Sequence, residues 1–357
     1  MSSEMNISEM LAEQVNRLLG ATVNRDLRVK AENGMLDSSL WAEIENLGLT
    51  RAMCSESDGG ADLRWAECEP VMRLSGAHAA PVPIGETLLA SWILSSAGIK
   101  VPAGVIALAT TRFAMDGQGK ISGRDPGVSW LNQSGHVVLI ATDSQGHDHV
   151  CLLQTSSLPA PAGLATIDRQ PCATLECDGI STVQKAPAPA STGELGVLPY
   201  VATLRSIQMA GALSQILSLT IEYANTRVQF GRPIGKFQAI QHLVASLAGK
   251  AAAAQVAGLY AARQIDAGNA EDGAAIAKSL VSRYATEACA ITHQVFGAIG
   301  VTDEHSLHFY TRRLWQWRAE AGSDHWWSGR LGKQVLSQPG SHLWEFVTKA
   351  QPATTLH

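Results

Sequence analysis

Two rhythms of apolar positions divide the chain. The segments 5–19, 39–47, 65–75 and 86–97 read as helices joined by short loops, the last of them apolar, and Gly59-Gly60 marks a turn between the second and third. From about 105 to 183 the pattern shortens to β-type runs at 104–109, 136–141, 149–153 and 173–177, set apart by Gly, Asp and Pro. Short strands at this spacing predict a small antiparallel barrel or sandwich. The Ala-Pro stretch 186–191 reads as a linker, which puts a boundary near 190. Beyond it Leu204, Ile207, Gly211, Ile216 and Ile221 restore the helical period, and helices are expected over 239–267, 274–297, 305–320 and 331–349. Alanines at 248, 251–254, 261 and 262 permit close helix approach in a bundle. The expected class is α+β in the order α, β, α: a helical domain over 1–103, a β domain over 104–190 and a four-helix bundle over 191–357.

Composition narrows the partners. A chain of 357 residues with 46% hydrophobic residues can bury cores for two or three domains, and a net charge of -5 gives no basic field for nucleic acid. The six cysteines form no Cys-x-x-Cys pair, and His305 and His308 lie outside any HExxH pattern, so no metal site is expected. The N-terminus lacks a basic segment followed by an apolar one, and no apolar run approaches the roughly 20 residues that span a bilayer. The expectation is a cytoplasmic protein with free thiols, away from membranes.

The sharpest local signal is 227–241, Arg-Val-Gln-Phe-Gly-Arg-Pro-Ile-Gly-Lys-Phe-Gln-Ala-Ile-Gln, between two long helical segments. Gly231 and Pro233 interrupt helical hydrogen bonding. Around the break stand Arg227, Gln229, Gln238 and Gln241, a cation and three amides available to a ligand. An arginine can donate two parallel bonds to phosphate oxygens. Taken singly, each could equally cap a helix end, with Phe230 and Phe237 in the core.

This segment resembles the acyl-CoA dehydrogenase family at Arg227, Phe230, Gly231, Pro233, Ile234, Phe237, Gln238 and Gln241. A second signature of that family follows as Gln294-Val-Phe-Gly-Ala-Ile-Gly, with Ala298 where a second glycine is usual, and then the pair Arg312-Arg313. The resemblance covers most of the chain. It implies the α, β, α architecture and a bound FAD, contacted by Arg227, Gln229, Phe230, Phe237 and Gln238. Gln294 and Gly297 would receive its ADP part from a neighbouring subunit.

The same resemblance exposes two gaps. Family members abstract an α proton with a carboxylate, because a weak carbon acid needs a base held beside the thioester. Where most carry Glu-Gly-Thr, this chain reads Ala321-Gly322-Ser323. The other known position, 26 residues before the turn arginine, is Val201. Glu320 stands one residue off and is the remaining candidate, with a terminal salt-bridged residue as its plainer reading. The Thr-Glu-Pro-x-x-Gly-Ser-Asp type loop that holds the flavin ring and thioester is also missing near 107–116.

Three readings stay open. One is a subunit that dehydrogenates an acyl-CoA thioester, of the bulky or steroid-derived kind, beside a related subunit that supplies the base. The second is a self-sufficient homo-oligomer using Glu320. The third is a non-catalytic structural subunit. Electron-transfer flavoprotein or a similar acceptor is the partner that the resemblance implies.

Overall fold

The computed structural model describes residues 7–337 together with residues 340, 343, 344 and 348. The first helices are α1 (Ile7–Thr22), α2 (Arg25–Glu32), α3 (Ser38–Asn46), α4 (Trp65–Ala77) and α5 (Ile84–Ser96). Caps set several boundaries. The side chains of Asn24 and Asp37 accept from the third backbone N–H beyond them, starting α2 and α3.

Next come β1 (Ile106–Met115), β2 (Lys120–Ser129), β3 (His136–Thr142), β4 (Asp148–Gln154), β5 (Ala162–Gly163), β6 (Cys172–Ser181) and β7 (Gln184–Pro187). They form one sheet in the order β5-β6-β2-β1-β3-β4-β7. The α, β, α order is as the sequence reads, with one difference from an all-antiparallel sheet: β1 and β3 are parallel. After the β1–β2 hairpin the chain crosses to the other side of β1, so β3 must run in the direction of β1. A second difference is at 184–187, which pairs with β4 as an edge strand rather than forming linker, leaving Pro187 where a missing donor is tolerated.

Alternation along β3 explains how the sheet is covered. Val137, Leu139 and Ala141 face a core that the sheet encloses with Phe113, Ile121 and Leu175. Val138 and Ile140 point the other way, into a core shared with Leu88, Leu94, Tyr200 and Leu204. One face of the sheet thus buries itself, and the other is buried by helices.

The remaining helices are α6 (Leu198–Thr226), α7 (Gln238–Asp266), α8 (Ala270–Phe296), α9 (Leu307–Ala319) and α10 (Asp324–Leu336). The first four pack as a bundle around Leu213, Ala254, Ala261, Val281 and Leu314. The expected helix at 331–349 is instead the end of α10, which starts at a Ser323 cap; most of its later part lies outside the described residues. By length and average composition α7 could cross a membrane, but it is not a continuous apolar run, since Gln241, His242, Lys250 and Gln255 interrupt it. Its alanine face packs in the bundle, and only 28% of its most apolar window is buried.

Two contacts tie the bundle to the N-terminal helices. The backbones of α4 and α6 touch: a Cβ added at Gly211 would lie 1.9 Å from the Arg73 carbonyl oxygen, and one at Gly76 equally close to that of Gln208. At the far end Asp266 of α7 accepts from the N–H groups of Trp65 and Ala66 at 2.9 and 3.0 Å, capping α4.

Candidate functional site

The turn after α6 is a miniature hairpin. Strands β8 (Val228–Gln229) and β9 (Arg232–Pro233) pair antiparallel, and the two residues between them, Phe230 and Gly231, have φ of +49° and +78°. Two left-handed residues make the tight connection that suits a two-residue hairpin. Its tip holds the Phe230 ring in solvent at 91% exposure, edge-on to Phe237. Arg232 lies over the Phe237 ring at 4.3 Å.

The hairpin forms one wall of a cavity of about 810 Å³, and the end of α8 forms the other. Arg227, Gln229, Phe230, Phe237, Gln294 and Gly297 all line it; the exposed Gln238, first residue of α7, does not. Gln241 donates instead to the Gly235 carbonyl at 3.0 Å and stiffens the turn. Among the described residues the side chains of Arg227, Gln229 and Gln294 have no hydrogen-bond partner, so their donors are available. Gly297 ends α8 at φ +63° and ψ -142°, a conformation essentially reserved for glycine, and a Cβ there would meet nothing within 4 Å. Tyr223, which sequence reasoning missed, joins the wall one turn before Arg227 and stacks on Phe296 at 4.3 Å. Arg227 and Gln294 thus line one cavity of the same chain.

A separate, smaller cleft of about 240 Å³ lies between the sheet and the helices. Val201, Ala321 and Glu320 all line it, so the two expected base positions face one space. Neither carries an acid. Arg205, one turn beyond Val201 on α6, fills this space instead. It is 3% exposed, and its Nε donates to Glu320 Oε2 at 2.6 Å while Nη1 donates to Glu86 Oε1 at 2.5 Å and Gln208 Oε1 at 2.7 Å. Burial pulls the guanidinium pKa down, but the Glu320 and Glu86 carboxylates outweigh it and hold the value above the ordinary range. Glu320 is engaged on its second oxygen too, which accepts from Gln316 Nε2 at 2.8 Å.

On the sheet side of this cleft β1 bulges between Leu108 and Arg112, which frees backbone donors from the ladder. Asp125, itself buried, fills that gap: its Oδ2 accepts from the N–H groups of Thr110 and Thr111 at 2.7 and 2.9 Å, and its Oδ1 from Gly127 at 3.0 Å. This lies where the family loop is missing from the sequence. The donors freed by the bulge are thus consumed by the chain's own carboxylate. Nearby, Arg313 bonds to the Ala80 carbonyl at 2.9 Å, and burial pushes its pKa down to about 10. Among the described residues there is no cluster of three His, Cys, Asp or Glu able to hold a metal ion.

A sheet closed on itself at one face and covered by helices at the other, followed by a helical bundle with a donor-lined cavity at the break between two of its helices, is the architecture of this chain. The chain belongs to the acyl-CoA dehydrogenase family. Residues 198–335 match the family of the acyl-CoA dehydrogenase C-terminal domain. The acyl-CoA dehydrogenase IpdE2 of Mycobacterium tuberculosis (strain ATCC 25618 / H37Rv) is 30% identical over 282 residues, 78% of this chain and 80% of that protein. Two solved structures share the fold with a TM-score of 0.83 each. The Tcur3481-Tcur3483 steroid ACAD variant is 22% identical, covering 92% of this chain and 98% of that one. The ChsE4-ChsE5 complex from Mycobacterium tuberculosis is 21% identical, covering 95% and 99%.

Proposed function

We propose that this chain is a FAD-associated subunit of an acyl-CoA dehydrogenase, and that a related subunit supplies the catalytic base. The observation that carries this reading is the state of the cleft. Val201 and Ala321 stand at the two base positions, and the adjoining Glu320 has both oxygens bonded, one of them to a buried guanidinium. A carboxylate so paired is a poor proton acceptor, because taking the proton would leave Arg205 without a partner that it needs when buried. That argues against the self-sufficient reading.

The residues of the larger cavity suit a flavin dinucleotide. Arg227 would pair with pyrophosphate oxygens, the amides of Gln229 and Gln294 would add neutral bonds, and Gly297 would let backbone approach closely. Phe230 and Phe237 offer an apolar wall. Gln238 would reach the cofactor only from outside the present lining. The bound FAD would supply the hydride acceptor for the substrate's β carbon, and electron-transfer flavoprotein or a similar acceptor would be the onward partner.

Subunit association fits the exposed surface. The solvent-facing Phe230 lies at the cavity rim and is an exposed apolar group suited to a related subunit or a second copy of the chain. Two solved structures of this fold, Tcur3481-Tcur3483 and ChsE4-ChsE5, name paired proteins, and the first is a steroid ACAD, which supports a bulky, steroid-derived acyl-CoA as the substrate class.

The test is to express the chain alone and together with a family member that carries a glutamate at either base position, and to assay both for acyl-CoA dehydrogenation. Activity only in the pair supports the reading. Full activity of the chain alone would replace it with the homo-oligomeric one, and no activity in any pairing with retained binding would favour a structural subunit.

A further inference from the structure

Lys278 lies in the third turn of α8 inside an apolar run, and its side chain has no exposure. No carboxylate among the described residues pairs with it within 4.0 Å. Its ammonium donates instead to three carbonyl oxygens: Arg318 at 3.0 Å, Glu320 at 2.7 Å and Gly322 at 2.7 Å. A lysine ammonium has three N–H donors and no acceptor, so its capacity is used completely.

Those three carbonyls belong to the last turn of α9 and the bend after it. A helix C-terminus leaves acceptors without intrahelical partners and favours a cation. The bend also holds Ala321 in the left-handed region at φ +52°, which costs a non-glycine residue, next to Gly322 at +88°, which glycine adopts freely. The fourth carbonyl of the segment, that of Ala321, accepts from Trp327 Nε1 at 2.8 Å. Burial pushes the Lys278 pKa down to about 7, with the Glu320 charge working in the opposite direction. An apolar side chain at this interior site would avoid that desolvation cost, so the ammonium is kept for what it holds.

What it holds is the segment that carries Glu320 and Ala321 into the cleft. The bonds to residues 318, 320 and 322 bracket Glu320 on both sides, and the Glu320 side chain then crosses to Arg205. We propose that Lys278 is a positioning residue: it clamps the 318–322 bend, and through that bend it holds Glu320 on Arg205 and keeps the cleft narrow. This follows from contacts within the chain and is independent of which subunit supplies the base.

Cys172 provides the reporter. It is half-buried and lines the cleft together with Glu320, and its thiol pKa is pushed up to about 12 by burial and then by the Glu320, Asp168 and Asp125 carboxylates. Iodoacetamide labelling of the full chain, read cysteine by cysteine by mass spectrometry, follows local opening of the cleft. In Lys278→Met, Cys172 labels at least about tenfold faster, because three charge-assisted bonds no longer oppose opening, while Cys54, Cys68, Cys151 and Cys289 keep their rates. Glu320→Gln also removes a charge that raises the Cys172 pKa, so rates are compared at equal thiolate fraction from each variant's pH profile; on that scale Glu320→Gln gives a rise of the same kind, and the double variant labels no faster than the faster single one, since both act through one contact. An unchanged Cys172 rate in folded Lys278→Met, a rise shared by all the cysteines, or additive effects overturn the proposal. If Lys278→Met does not fold, Lys278→Gln, which keeps two N–H donors on a shorter stem, is measured against the same outcomes. Failure of both to fold assigns Lys278 a general structural role and also overturns it.

Discussion

Arg205 Nε and Glu320 Oε2 stand 2.6 Å apart inside the cleft, although 115 residues separate them in sequence. Val201 precedes Arg205 by one helical turn, and Ala321 follows Glu320 directly, so the pair sits between the two places where the family carries its base. Proton abstraction needs a carboxylate free to accept. This cleft offers one already committed to a buried cation.

Removing that cation leaves Glu86 and Glu320, with side chains 14% and 24% exposed, without their shared partner. Arg205→Met is expected to lower unfolding stability by about 3 kcal/mol, since breaking a buried pair strands the remaining charge. Urea denaturation measures it. A loss below about 0.5 kcal/mol, the range of ordinary surface substitutions, would show that the cluster does little to hold the cleft together.

Arg227 is the reverse case, an exposed cation with no partner among the described residues. Arg227→Ala should leave the melting temperature unchanged and weaken FAD binding about tenfold to hundredfold, the worth of one charge-assisted phosphate contact. Flavin titration of the variant reads the shift. Unaltered affinity would remove Arg227 from the cofactor site.

At Gly297 there is room for a methyl group, yet the backbone conformation is one that alanine resists. Gly297→Ala should therefore cost about 1–3 kcal/mol through backbone strain alone. Its expected signature is a lower melting temperature together with weaker flavin binding. A neutral result would mean that the end of α8 rearranges freely.

Gly211 presents the opposite constraint, because a methyl group there meets the Arg73 carbonyl oxygen at 1.9 Å. Gly211→Ala should force α4 and α6 apart and cost about 1–3 kcal/mol. Thermal unfolding is the measurement, and an unchanged transition would contradict the backbone contact.

The order of helices and strands was legible because the signals are local: the apolar spacing of α6 and the short apolar run of β3 are written in consecutive residues. Both motifs of the larger cavity were legible for the same reason, as short runs around Arg227 and Gln294. What sequence reading missed is what only the fold brings together. Arg205 reads as one charge in an apolar helix until Glu86 and Glu320 arrive from elsewhere, although its position one turn after Val201 was an available signal. Asp125 and Lys278 meet backbone groups, Thr110 and Thr111 for one and the 318–322 bend for the other, and backbone partners leave no mark in composition. The parallel pairing of β1 and β3 depends on the side to which the chain crosses after β2, which strand propensity does not encode.

The central claim is that the base comes from another polypeptide. Its most direct test is the turnover of the two-subunit enzyme in which only this chain carries Glu320→Gln. The account predicts a kcat within about threefold of the unaltered complex, because the general base acts elsewhere. A loss of about a thousandfold or more would identify Glu320 as the base and contradict it.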